Sequence, residues 1–170
     1  MLAVLLWAAL SARAEIVDRV VAVVEDQPIL QSEVRLEAAL ARVPSPVPGF
    51  RALHRDPLQL AIDQAVIRLT AAEISLYQPT REQVADGVSA IRASFADDEA
   101  YATFLGDHGL DEERLATVVR RRMIVERFLL RNLLAPPSDT QAWSAECQAL
   151  LDTLRPRTRI RTVTERGIAP

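Results

Sequence analysis

The longest valine-rich stretch of the chain runs from Ile16 to Val24, where seven of nine residues are aliphatic and five are valine. Branched side chains of this kind favour extended backbone over helix. An acidic dipeptide interrupts the run, and Gln27–Leu30 restores the extended pattern. A helix is expected from Glu33, with Ser32 as its N-terminal cap. The pattern therefore predicts a two-stranded ribbon followed by a helix.

A two-stranded ribbon is barely stable in water and needs a further partner. The segment from Thr158 to Thr164 alternates β-branched and other residues, which is typical of a strand. We therefore expect Thr158–Thr164 to pair with Ile16–Val24 and to join the two ends of the chain in one small sheet.

About six helices are predicted between the ribbon and this strand, from apolar residues spaced three and four apart. The central helix begins at Asp56-Pro57 and ends before Gln78-Pro79, with Ile74 and Leu76 as the last members of its two apolar faces. A helix that is apolar on two faces is expected to be packed on both sides. A helix over 33–43 is expected to end at a proline-rich connector, 44–49. The helix after the central one starts at a capping box at Thr80 and runs to Phe95. The remaining helices are predicted from Asp97 to Gly106, from Asp111 to about Leu134 with Leu130 pointing inward, and over 138–154.

The pattern of elements predicts a mainly α-helical fold with one small sheet, and the length and composition agree with a single globular domain. The chain has 170 residues, of which 49% are hydrophobic and 25% are charged, as in ordinary globular proteins with an apolar core. The formal net charge is −3, which gives no support to a nucleic-acid partner.

Residues 1–14 are predicted to be a signal peptide, so that the domain covers 15–170. The apolar run Leu2–Leu10 is too short to span a bilayer, and Ala12-Arg13-Ala14 fits a signal-peptidase site. The alternative is a buried N-terminal segment. Cys147 is the single cysteine, cannot form an internal disulfide, and is expected to be a small core residue.

The sequence shows no constellation of catalytic residues and no cofactor motif, so we expect neither a catalytic site nor a cofactor. A metal site would have to combine His54 with Asp56, or His108 with Asp107, but neither spacing puts two ligands on one helical face. The favoured interpretation is that both histidines are solvated polar residues. Cys147 has no neighbouring base that would make it a nucleophile.

Three aromatic residues are the candidates for contact with a polypeptide partner. Phe95, Tyr101 and Phe104 cluster around the most loop-rich part of the helical region. Core filling is the favoured explanation, and the alternative is an exposed apolar patch that holds extended polypeptide.

Several segments follow, in order, those of one known family. They are Ile16–Val24, Pro28–Leu30, Ser32–Val34, Asp63–Leu69, Thr80–Val84 and Leu110–Leu115. On these residues the chain resembles the SurA-like periplasmic chaperones, in their N-terminal domain, over most of residues 15–135. The family often has an Asn/Gly-containing turn where this chain has Glu25-Asp26, so its turn is expected to be less well adapted to a positive φ.

A second departure from the family concerns catalysis. Family members typically carry one or two parvulin prolyl-isomerase domains before the last helix, and here only Ala135–Ser138 separates the corresponding helices. The resemblance thus implies a chaperone core without the enzyme, which binds unfolded outer-membrane polypeptides in the periplasm without ATP, metal or cofactor. It implies no stable membrane insertion once the signal peptide is removed. Two alternatives stay open, a prolyl isomerase-related protein or accessory subunit and a non-catalytic envelope assembly module.

Overall fold

The computed structural model describes residues 18–164 and 167–169. The predicted signal peptide and the first two residues of the predicted ribbon, Ile16 and Val17, lie outside these ranges. Within them the chain is mainly α-helical with one small sheet, which confirms the predicted fold class. The strands are β1 (Val20–Val24), β2 (Gln27–Leu30), β3 (Ile160–Thr164) and β4 (Gly167–Ala169). The helices are α1 (Gln31–Ala39), α2 (Pro48–Ala52), α3 (Pro57–Ala71), α4 (Arg81–Ala93), α5 (Asp98–Asp107), α6 (Glu112–Asn132) and α7 (Thr140–Leu154).

The sheet joins the two ends of the described chain, as predicted. Its strand order is β2-β1-β3-β4, and all neighbouring strands are antiparallel. Ala22 lies opposite Thr162, and Val24 lies opposite Ile160. Ala22 and Val24 are fully buried in a cluster that includes Ala65 of α3. Strand β3 therefore supplies the partner that the ribbon needed, and β4 is an additional strand that the sequence pattern did not indicate.

The turn between β1 and β2 has a positive φ at Glu25, where φ is 52°. A non-glycine side chain is disfavoured in this region. Here Glu25 is held by Arg159, whose backbone N–H donates to the Glu25 carboxylate at 2.6 Å, while the backbone N–H of Glu25 donates to the carbonyl of Arg159 at 2.8 Å. The turn is thus fastened to the residue that precedes β3.

Helix α1 begins at Gln31, two residues before the predicted start, and Ser32 is not its cap. The N–H and hydroxyl of Ser32 both donate to the carboxylate of Asp18. Strand β2 runs directly into the helix, and the Glu33 carboxylate accepts from the backbone N–H of Leu30 at 3.1 Å. Glu33 therefore satisfies the N–H of the residue just before the helix, which is a different donor from the first-turn N–H that a capping Ser32 would have met.

Helix α3 begins as predicted, because the Asp56 carboxylate accepts from the N–H of Leu58 at 2.9 Å. The predicted end is wrong, since the helix stops at Ala71 and a 3₁₀ turn follows at Ser75–Tyr77. Unwinding here lets Tyr77 enter the core, where its ring meets Phe128 edge-on at 5.3 Å between centroids. Ile74 and Leu76, which were expected to be buried, are exposed instead.

The core is arranged around α3 and α6. Every residue from Leu60 to Ile67 is buried, so α3 is packed on both sides, against the sheet and against α6 and α7. The first half of α6 packs with α4 and α5, and its second half packs with α7. The proline-rich connector is partly helical, because Pro48 starts α2 at the position where a helix tolerates proline. A Cβ at Gly49 of α2 would lie 2.7 Å from Trp143 of α7, so these helices are in close contact.

Candidate functional site

The three predicted aromatic residues come together between α4 and α5. The ring centroid of Phe95 lies 5.7 Å from that of Tyr101 and 5.0 Å from that of Phe104. Tyr101 and Phe104 are buried, whereas Phe95 is half-buried. Phe95 also lines an open groove, together with Thr103 and Phe104. Most of the aromatic surface therefore fills the core, and Phe95 is the member of the three that is accessible to a partner.

His54 is not a solvated residue, which corrects the prediction. Only 3% of its side chain is exposed, and it forms part of a buried cluster with Asp63 of α3 and Arg155, which follows α7. The Nε2 atom of His54 lies 2.6 Å from the Asp63 carboxylate, and Nδ1 lies 2.7 Å from the carbonyl of Phe50. The ring fills space between α2 and α3, with Phe50 edge-on at 5.0 Å. His54 therefore has no nitrogen left for a substrate.

Asp63 is the centre of this buried cluster. Its carboxylate accepts two hydrogen bonds from the Arg155 guanidinium, at 2.8 and 2.6 Å, and one from Gln59 at 3.1 Å. Burial alone would raise the pKa of Asp63, but the hydrogen bonds from Arg155, His54 and Gln59 outweigh it and the pKa is lowered. The carboxylate thus stays ionised and fastens the end of α7 to α3.

Cys147 is fully buried, as predicted. Burial is the main reason that the pKa of its thiol is raised to about 12, and the negative charge of Asp63 adds to the effect. Because the thiolate is the reactive form of cysteine, Cys147 is a core residue rather than an activated nucleophile.

A second set of buried and half-buried polar residues links α1 to α3 and the proline-rich connector to α6. Buried Gln64 donates to Glu37 at 3.1 Å, and Ser45 donates to Glu126 at 2.8 Å. Burial is the largest influence on Glu126 and raises its pKa, while the hydrogen bond from Ser45 acts in the opposite direction. These groups satisfy one another inside the protein, and we assign them a structural role.

An open groove lies where the β1–β2 hairpin meets α3 and α6. This hairpin groove is lined by Pro28, Leu30, Glu33, Arg68, Arg121 and Ile124, and has a volume of about 560 Å³. A smaller pocket of about 40 Å³ shares Glu33, Arg68 and Arg121 with it and is otherwise lined mainly by apolar residues of β2, α1, α3 and α6. The groove therefore combines apolar walls with charged groups from three helices.

Large apolar side chains are exposed in the segment after α3 and at the C-terminal end of α6. Among the described residues, those of high exposure are Ile74 (42%), Leu76 (54%), Leu130 (43%) and Leu134 (95%). The side-chain amide of Asn132 donates to the hydroxyl of Tyr77 at 3.0 Å, which brings the 3₁₀ turn bearing Leu76 to the end of α6. We call these four residues the apolar end. Leu130 was expected to point inward, and its exposure corrects that prediction.

Metal-binding groups, membrane-spanning helices and similar proteins would each bear on the function. No group of three or more His, Cys, Asp or Glu side chains within the described ranges could hold a metal ion. None of the helices in that part of the chain has the length and apolar character needed to cross a membrane. Comparison of the chain with protein-family models, curated proteins and solved structures finds no match.

The buried cluster around Asp63 was not predicted from the sequence. One signal was present, because Asp63 is the charged residue in the middle of the apolar run from Leu60 to Ile67. An aspartate at such a position has to find a partner. The partner itself could not be inferred, since Arg155 lies 92 residues further along the chain.

Proposed function

We propose that this protein is an ATP-independent periplasmic chaperone of the SurA-like class, which holds unfolded outer-membrane polypeptides. The apolar end is the observation that carries the proposal. Large apolar side chains as exposed as those of Leu134 and Leu76 are accessible to apolar segments of another chain, and their burial in such a contact is favourable. The resemblance of the Ile16–Val34 stretch to the family supports the same function.

The mechanism we propose is weak, repeated contact with apolar segments of the client. Leu76 lies in the 3₁₀ turn after α3, and Leu134 follows the end of α6. Burial of either side chain in a contact would contribute on the order of 1–2 kcal/mol. Contacts of this strength hold an unfolded chain only when several act together, and they release it as it folds. No ATP is needed for such a cycle.

Light scattering tests the proposal. An unfolded outer-membrane protein is diluted out of denaturant with and without this chain. We expect the chain to suppress aggregation at a severalfold molar excess, and unchanged aggregation would refute the proposal.

Two double variants locate the client surface. Leu76→Ser with Leu134→Ser should reduce the suppression while leaving the unfolding temperature nearly unchanged, because neither side chain is part of the core. The matched control, Leu76→Met with Leu134→Met, keeps the surface apolar and should retain the suppression.

Phe95→Ser tests the aromatic candidate in the same assay. Tyr101 and Phe104 are poor test positions, because their burial makes any substitution a change of the core as well.

The alternative functions give different results. Clear acceleration of proline-peptide isomerisation would indicate a prolyl isomerase-related protein. Formation of one stoichiometric complex with a folded envelope protein, without effect on aggregation, would indicate an assembly module.

A further inference from the structure

The hairpin groove contains an arginine without a partner. Arg68 of α3 makes no hydrogen bond or ion pair with any residue that the structure describes, although it lines both the groove and the smaller pocket. The nearby carboxylates are engaged elsewhere. Glu33 pairs with Arg121 at 2.8 Å, and Glu37 accepts from Gln64 at 3.1 Å and faces Arg51 at 3.7 Å. One positive charge is therefore left over at this site.

The surroundings of Arg68 favour an anion. Burial lowers the pKa of Arg68, and the neighbouring Arg121 lowers it further, although Glu33 and Glu37 act in the opposite direction. A half-buried cation next to a second cation is stabilised when an anion joins it. The planar guanidinium matches a carboxylate in particular, because it can donate two parallel hydrogen bonds.

The walls of the groove indicate what carries this carboxylate. Pro28, Leu30 and Ile124 provide apolar surface beside the arginines, which suits an apolar side chain next to the anion. A peptide cannot easily extend the sheet at β2, since Pro28 has no N–H and the N–H of Leu30 is already bonded to Glu33. The pocket that shares Glu33, Arg68 and Arg121 with the groove has a volume of only about 40 Å³, which suits a terminal carboxylate better than a continuing chain.

We propose that the hairpin groove binds the C-terminal carboxylate of an extended apolar peptide, with Arg68 as the residue that receives the carboxylate. The apolar wall formed by Pro28, Leu30 and Ile124 takes the last side chain of the peptide. This inference rests on the proposed function, since the peptide is the end of an unfolded client, and it assigns to the protein a second contact that is distinct from the apolar end.

Fluorescence anisotropy with paired peptides tests the site. The probe is an N-terminally labelled peptide of about six alternating serine and leucine residues that ends in leucine, prepared with a free and with an amidated C-terminus. We expect the free carboxylate to bind on the order of tenfold more tightly, as for a hydrogen bond between charged groups. A third peptide is amidated and carries an internal aspartate. It shows whether the site requires a C-terminal carboxylate or also accepts a side-chain carboxylate.

Three variants of the full chain assign the binding to Arg68. Arg68→Gln should abolish the preference for the free carboxylate. Glu33→Gln should strengthen that preference, because it releases Arg121 from its pair and keeps an oxygen that can accept from Leu30. The matched control, Arg55→Gln, removes an exposed arginine of the loop before α3 and should leave the preference unchanged. A general disturbance of the fold would not abolish the preference for the free carboxylate in Arg68→Gln and strengthen it in Glu33→Gln.

The outcomes separate the two proposals. Equal binding of the free and amidated peptides, or a preference that survives Arg68→Gln, would overturn the carboxylate site while leaving the suppression of aggregation intact. Equal binding of the internal-aspartate peptide and the free-carboxylate peptide would overturn the assignment to a chain end. Arg68→Gln should retain the ability to suppress aggregation of a client whose C-terminus is blocked, because the apolar end is unchanged.

Discussion

Asp63 has no solvent-exposed side-chain surface, yet it stays ionised between Arg155, His54 and Gln59. Removing one partner of a buried ion pair leaves the other charge uncompensated. We therefore expect Asp63→Asn to lower the free energy of unfolding by about 3–5 kcal/mol, as measured by urea denaturation at neutral pH.

Asp152 is the matched control for this substitution, because it also faces Arg155, at 3.5 Å, but from an exposed position. Asp152→Asn should cost less than about 1 kcal/mol, as is usual for surface ion pairs. Equal losses in the two variants would show that the burial of Asp63 does not determine its contribution.

The pH dependence of stability follows from the same carboxylate. Its pKa is lowered below the ordinary value of 3.8, since the hydrogen bonds from Arg155 and His54 outweigh the effect of burial. An acid with a lowered native pKa stabilises the fold fully above its ordinary value, and this stabilisation is lost as the pH falls through the native value. The difference in unfolding free energy between the wild type and Asp63→Asn should therefore be largest at neutral pH and shrink below about pH 4. A difference that stays constant down to pH 2 would contradict this assignment.

Individual residues show where inference from the sequence reaches its limit. The sequence placed Phe95, Tyr101 and Phe104 in one loop-rich part of the helical region, and the structure brings their rings together. Their burial depends on how α4, α5 and α6 pack, and spacing alone does not determine that. For Asp63 the apolar neighbours indicated burial, whereas the identity of its partner depended on a contact between distant parts of the chain.

At the scale of elements, helix starts were predicted more accurately than helix ends. Asp56, Thr80, Asp97 and Asp111 each accept a backbone N–H of the first turn, as their side chains suggested. These caps are local interactions. The end of α3 is not local, because the helix unwinds where Tyr77 enters the core against Phe128 of α6. The contact face of α6 also changes along its length, from α4 to α7, and a single apolar stripe therefore placed Leu130 on the wrong side.

The packing of α4 on α6 depends on the small size of Gly87. A Cβ at this position would lie 2.6 Å from Cγ1 of Val119, a stiff branched side chain. Gly87→Ala should therefore lower the unfolding free energy by about 1–3 kcal/mol, as overpacking usually does, despite the better helix propensity of alanine. Thermal and urea denaturation measure the change.

Gly106 of α5 provides the matched control. It also lies within a helix, but nothing stands within 4 Å of a Cβ at that position. Gly106→Ala should raise the unfolding free energy by about 0.5–1 kcal/mol, because alanine loses less conformational entropy in a helix. Stabilisation by both substitutions would mean that α4 and α6 are less closely packed than described.

At the scale of the whole molecule, the sheet connects the beginning and the end of the described chain. Strand β3 lies between β1 and β4 and contributes to both ladders. Arg155, at the end of α7, binds Asp63 of α3 shortly before β3 begins. The backbone N–H of Arg159, immediately before the strand, donates to the carboxylate of Glu25. Local signals predicted β1, β2 and β3 but not β4, and the pairing of β3 with β1 was inferred from the need of the ribbon for a partner.

Thr162 is the position at which this closure can be tested, because it pairs with Ala22 on one side and with Ala169 on the other. Proline in a central strand removes a donor from the ladder and is confined in natural sheets to edges and bulges. Thr162→Pro should lower the unfolding free energy by about 3 kcal/mol or more and expose the edge of β1 to other chains, which size-exclusion chromatography detects as association. Thr162→Val keeps the β-branched side chain and the N–H, and should unfold at nearly the wild-type temperature as a species of unchanged size. If Thr162→Pro behaved like Thr162→Val, β3 would not be required to complete the sheet, and the ribbon of β1 and β2 would have to be stabilised by α3 alone.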